Sequence, residues 1–163
     1  MAHEWIDQGL RQMRQREEQL RLASERRLHQ AAIIKEKGAD LMGRLLSEVG
    51  AAVDWFKQRA PLGGHEVEFE ALPHEGFCVT RANLPRVSLE CRPGYETHVL
   101  YCNLTRSDSR ESGPQEFVFS LSMTVDDSDA VVLSHETRAF QHLEEVLEFL
   151  LKPVLFPALD QEL

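Results

Sequence analysis

The segment "YETHVLYCNLT" places His98 and Cys102 four residues apart in a stretch that alternates as a strand does, so both fall on one face. An imidazole beside a thiol is the beginning of a nucleophilic pair, in which the ring takes the thiol proton. A working pair also needs a residue to orient the ring and donors to hold an oxyanion, and the sequence offers neither. A histidine that fills a sheet face with one hydrogen bond is the better account. His142 and Glu145 are three apart in a helical pattern, the spacing of carboxylate-bridged metal sites. Those sites need several such helices, and no second His/Glu pair completes one, so these residues read as a solvated face. The run Asp126-Asp127-Ser128-Asp129 offers oxygen ligands for a hard cation but lacks the glycine and distal glutamate of a calcium loop. It reads as an acidic turn. "PLGGH", residues 61–65, does not join a strand to a helix start and cradles no phosphate. His65 and His74 stand at strand edges with no partner within reach by spacing.

Three cysteines, Cys78, Cys91 and Cys102, are far apart and show no CxxC spacing. An odd number in a chain without a leader pattern argues for reduced thiols, not for a disulfide framework or a zinc site. "MAHEWIDQGLRQ" lacks the apolar core of a signal peptide. No apolar run approaches the roughly 20 residues that span a bilayer. The expectation is a cytoplasmic protein with no membrane segment, in which the sequon Asn103-Leu104-Thr105 is accidental. No metal and no cofactor are expected.

With 163 residues, 42 % hydrophobic and 28 % charged, the chain is one globular domain's worth. The net charge of −9 is unevenly spread. Residues 1–60 carry 11 Lys/Arg and 9 Asp/Glu, a balance of +2; residues 61–163 carry 7 and 18, a balance of −11. An acidic body repels phosphate backbones, and the N-terminal arginines alternate with acids. A nucleic-acid partner is therefore excluded.

The elements that would position these groups follow from periodicity. Residues 4–58 hold no proline and are rich in good helix formers. From Leu28 onward Ala31, Ile34, Leu41, Met42, Leu45, Leu46, Val49, Val53 and Phe56 recur at three- and four-residue steps, one wide stripe for a core. Gly38, Gly43 and Gly50 interrupt it, either to let the helix approach a sheet or to break it near Gly38. Pro61 and Gly63-Gly64 end it. The pattern then switches to a period of two. "EVEFEAL", "GFCVTRA", "RVSLECR", "YETHVLYCNLT", "EFVFSLSMTV" and "DAVVLSHE" are strands joined by short turn-rich links, which favours an antiparallel meander. Phe140, Leu143, Val146, Leu147, Leu150 and Leu151 form a final helical stripe, with Pro153 kinking or stopping it near Lys152. The expected fold is α+β: a long N-terminal helix, a meander of five to six antiparallel strands and a C-terminal helix, both helices on one face of the sheet. Residues 1–27 are a helical extension and 28–163 a single α+β domain.

A two-residue turn at Pro93-Gly94 sets Leu89 opposite His98 and Val87 opposite Leu100, with Cys102 continuing the inner row. Phe117, Phe119, Leu121 and Met123 then join that row from the next strand, and Phe77 and Val79 from the previous one. The whole row, including Val87, Leu89, Leu100, Phe117, Phe119 and Leu121, is expected to be buried. In this register Cys78 faces outward, and Cys91 and Cys102 lie in the core without opposing one another, so no pair is placed to bridge. On the outer face Val99, Tyr101 and Val118 interrupt a polar surface, and such a patch can mark a binding surface.

A continuous helix over residues 5–57 would be about 80 Å long, roughly twice what a strand sheet can cover. The first half carries only a thin seam: Ile6, Leu10, Met13 and Leu20. It must pair with a second copy, fold back on its own body after a bend at Gly38, or fray. The leading expectation is therefore a non-enzymatic interaction or assembly protein, homodimeric through this helix, that can also seat a protein partner. The alternative is a carrier of a small apolar ligand held between curved sheet and helices, with Leu89, His98, Leu100, Phe117, Phe119 and Met123 as the candidate lining. An enzyme ranks last, because nothing specifies a reaction.

Overall fold

The computed structural model describes residues 2–60, 66–111 and 113–158. "PLGGH" therefore lies outside the described residues, along with the expected helix end at Pro61, Gly63 and Gly64, and His65. The first element, α1 (Glu4–Arg59), is one unbroken helix of 56 residues, about 84 Å long. It passes straight through Gly38, so the fold-back on its own body does not occur. Its last turn closes with the Ala60 N–H donating to the Phe56 carbonyl at 2.8 Å. Ala60 is extended, as a residue before proline must be.

Seven strands follow: β1 (Val67–Ala71), β2 (Phe77–Arg81), β3 (Arg86–Gly94), β4 (Val99–Ser107), β5 (Gln115–Val125), β6 (Val131–His135) and β7 (Arg138–Ala139). They pair in chain order, every neighbour antiparallel, as one meander. The strand beyond the expected six is β7, two residues long and paired with β6 through a turn that holds Glu136 at φ 54°. Too short to show a period of two, it leaves no pattern in the sequence. The chain closes with α2 (Leu143–Leu155). Pro153 sits inside its last turn, and the helix runs to Leu155, past the stop expected near Lys152. So close to the end, the lost N–H removes only one bond from the ladder.

Both helices cover the same face of the sheet. Met42, Leu45, Val49 and Val53 of α1 share a core with Val79, Leu89, Leu100 and Leu121 of the strands and with Leu150 and Val154 of α2. All are 1 % exposed or less. Gly50 has a reason to be glycine: a Cβ there would stand 3.3 Å from the Phe69 ring, so the helix lies close over β1. Gly43 faces open space, with nothing within 4 Å of such a Cβ.

Two corrections to the expected register have physical causes. Pro93-Gly94 is not the β3–β4 turn; both residues belong to β3, Gly94 pairs with Val99, and Tyr95–His98 make a four-residue connection. Leu89 therefore faces Leu104, not His98, and Val87 faces Arg106, not Leu100. Beyond Cys91, where β2 stops, β3 is bordered by β4 alone, and a proline there costs no ladder bond on the open side. Gly94 is needed for closeness, because an added Cβ would lie 2.7 Å from the Tyr101 ring. The partner of Leu89 moved by an even number of residues, so the strand side chains kept their expected faces. The second correction is Phe117, expected in the buried row but 49 % exposed. It lies on the inner side toward the β4–β5 hairpin, one step beyond Phe119, which is covered by Phe149 of α2 at 5.8 Å between ring centres.

Leu121→Ala should cost about 2–5 kcal/mol in a urea titration, since Leu121 is fully buried in the core shared by sheet and helices. Gly43→Ala should stabilise by up to about 1 kcal/mol, the propensity gain with no contact to offset it.

Candidate functional site

The groups that could do chemistry are dispersed. His98 is in the turn before β4, at φ 57°, with its carbonyl accepting from the Met123 N–H at 2.8 Å. It lines no inner row, so it makes no pair with Cys102 of the kind the sequence suggested. Cys102 faces another thiol instead. The true register sets it directly opposite Cys91, with the sulfurs 3.6 Å apart and both side chains buried. The expectation that these two do not oppose one another is thus corrected; it rested on the wrong turn. All three cysteines are free thiols. The hydrogen bond to Cys102, followed by burial, pushes the Cys91 thiol well above its ordinary range. Burial raises the Cys78 thiol too, against a lowering contact with Ser88. Neither is an activated nucleophile, which would need a depressed value.

The acidic turn is used structurally. Asp126 Oδ1 accepts from the Ser128 N–H, the Ser128 hydroxyl and the Ala130 N–H at 2.7–2.9 Å. These bonds, that of the Ser128 hydroxyl foremost, hold its carboxyl below the ordinary range. Asp129 meets α1: its carbonyl accepts from Lys37 Nζ at 3.2 Å, and its carboxylate lies 3.6 Å from His29 Nε2. Glu145 pairs with Arg138 at 3.5 Å, and His142 is the residue before α2. His74 sits in a short 3-10 turn, Pro73–Glu75, at φ 58°. Among the described residues no three His, Cys, Asp or Glu side chains gather as metal ligands. No helix among the described residues is long and apolar enough to cross a membrane.

The six residues proposed to line a ligand cavity take different places. Leu89, Leu100 and Met123 are packed core. Phe119 is half-buried among Phe149 and His135, Phe117 is half exposed, and His98 is in its turn. A groove of about 410 Å³, open to solvent, lies elsewhere, between α1 and β1. Gly50, Asp54, Lys57, Glu68 and Phe69 line it, and Lys57 bridges to Glu68 at 3.3 Å. On the outer face Tyr101 is 48 % exposed and hydrogen-bonds Thr97 at 2.9 Å. Val118 is exposed beside it, opposite Asn103.

Of the thirteen exposed large hydrophobic side chains among the described residues, seven lie in the first half of α1. Ile6, Leu10, Met13 and Leu20 are 39–62 % exposed, and Trp5, Leu22 and Leu28, which the seam pattern passed over, are exposed as well. Among the described residues, 2–28 are exposed apart from the half-buried Gly9, and the β5–β6 turn meets the helix at His29 through Asp129. Two arginines that the sequence did not single out brace the other end of the molecule. Arg81 donates to the Leu155 carbonyl at 3.4 Å and Arg106 to the Pro157 carbonyl at 3.0 Å. The first satisfies a carbonyl that the end of α2 leaves unpaired, and the second holds the chain two residues past the helix.

Comparison of the chain with protein-family models, curated protein sequences and solved structures finds no match in any of the three.

The raised Cys91 thiol fixes a pH dependence. In the unfolded chain the thiol ionises near its ordinary 9.0, while in the folded protein it stays protonated to higher pH. Its contribution is therefore intact below pH 9 and is lost as pH rises above that value. Denaturant titrations should show stability falling on the alkaline side, and the fall should be shallower in Cys91→Ala. In native protein a thiol-reactive dye should modify Cys78 well before Cys91 and Cys102.

Proposed function

We propose that this is a non-enzymatic interaction and assembly protein, homodimeric through the first half of α1, working in the cytoplasm. One observation carries the reading: residues 4–28 are helix that the described residues leave exposed, presenting Ile6, Leu10, Met13 and Leu20 to water. A helix this polar is marginal alone in water and gains its stability from packing an apolar face. The neighbouring half of the same helix is fully committed to the domain core, so it cannot supply that packing. A self-complementary surface closes most often as a two-fold dimer. Three free thiols fit a reducing compartment.

Light scattering at tens of micromolar should give twice the 18.7 kDa chain mass. Leu10→Glu with Leu20→Glu should halve that mass while leaving the thermal transition of the domain in place. Deleting residues 1–27 should likewise leave a folded monomer by circular dichroism. A full-length chain that is already monomeric removes the reading.

A further inference from the structure

Resting on that dimer, we propose that the two α1 helices pair antiparallel over residues 2–28, with Leu10 of each copy level with Leu20 of the other and Gln15 at the two-fold axis. Three independent features of the helix select this arrangement.

The first is the side on which the seam lies. At 100° per residue, the mean direction of Ile6, Leu10, Met13 and Leu20 falls within about 25° of that of Ile34, Gly38, Met42, Leu45, Val49 and Val53. The latter set faces the protein's own sheet. Seam and body therefore share one side of a single straight rod. In a parallel pair both bodies would sit at the same end and on the facing sides, where they collide. In an antiparallel pair they sit at opposite ends, each just past the other helix's N-terminus.

The second is charge. The seam follows a heptad in which Ile6, Met13, Leu20 and Arg27 take one core position and Leu10 and Glu17 the other. Parallel, in-register pairing sets Glu17 on Glu17 and Arg27 on Arg27, with Arg16 across from Arg21 twice. Antiparallel pairing replaces these with two Leu10–Leu20 contacts and brings Asp7 of each copy to Arg21 of the other. Glu17 then lies beside Met13, flanked by Arg14 and Arg16 of the second copy. At the axis the two Arg14 face one another on one side and the two Arg16 on the other, with Glu17 and Glu18 of both copies beside them to offset the repulsion.

The third is length. In this register His3 of one copy falls level with Arg27 of the other, just short of His29, where the β5–β6 turn meets the helix through Asp129. A shift of one heptad toward the body, about seven residues, would drive the N-terminal turn against Ile33 and Ile34, which are already buried. The opposite shift would leave the last two turns of the overhang uncovered.

The test is pulsed electron paramagnetic resonance on the full chain in a Cys78→Ser background, which removes the one half-exposed thiol. Single spin labels go on Gln8→Cys, Gln15→Cys or Leu22→Cys, three exposed positions on the outer side of the helix. Antiparallel pairing through Gln15 gives the shortest interchain distance at position 15. Positions 8 and 22 should give equal, longer distances, each with an axial offset of about 21 Å. A mixture of chains labelled at 8 and at 22 should add a short distance that neither gives alone. Equal distances at all three positions would establish parallel pairing and overturn the proposal. A minimum anywhere other than 15 would overturn the register. A dimeric mass with no interchain distance at any of the three positions would put the dimer contact elsewhere, which also overturns it. A monomeric mass would instead remove the dimer reading beneath it.

Discussion

A one-faced sheet must be kept dry, and that requirement organises the molecule. The meander alternates apolar and polar residues along every long strand, so its inner face, with Phe77, Val79, Leu89, Leu100 and Leu121, cannot stand in water. A meander has no crossover helices of its own to cover it. The cover comes from the two ends of the chain: α1 contributes Met42, Leu45, Val49 and Val53, and α2 contributes Leu147, Leu150, Leu151 and Val154. Each helix is bound to the body at points the hydrophobic pattern does not describe. Asp129 of the β5–β6 turn meets Lys37 and His29, and Arg81 and Arg106 hold the end of α2.

The unusual property of this fold is the mismatch in length between its cover and what it covers. A sheet with strands of 2 to 11 residues needs only the second half of a 56-residue helix. Among the described residues, 4–28 are exposed to solvent apart from the half-buried Gly9 and add no buried residue to the core. Their seam continues the core stripe almost in phase, so one apolar side runs along the helix from the overhang to the half that lies on its own sheet. The charges support the same division. Arginines and acids alternate along the overhang, whereas residues 61–163 carry a balance of −11.

Asp126 of the acidic turn accepts backbone and hydroxyl protons, the Cys78 and Cys91 thiols are raised above their ordinary range, His74 and His98 are in turns, and His135 lies against aromatic rings. Polar groups are placed to finish turns and helix ends rather than to converge on a shared space.

Amino-acid sequence alone determined the element types, their order and the face of each strand side chain, because those depend on local periodicity: a long three-four stripe, then a period of two, then another stripe. It also marked Ile6, Leu10, Met13 and Leu20 as surplus to the core. Even the misplaced β3–β4 turn left the faces intact, since its displacement was even. Tertiary structure decided what periodicity cannot carry. Whether Gly94 is a turn or a strand residue depends on the Tyr101 ring crossing it from the next strand. That one choice sets which residues oppose one another, and so it brought Cys91 against Cys102 and took His98 out of the row. Phe117 follows the burial pattern in sequence, yet it is 49 % exposed, whereas Phe119, one step further in, is covered by Phe149 of α2. The unbroken passage of α1 through Gly38 was equally undetermined by sequence, since a helical glycine costs only about 1 kcal/mol and packing against the sheet offsets it.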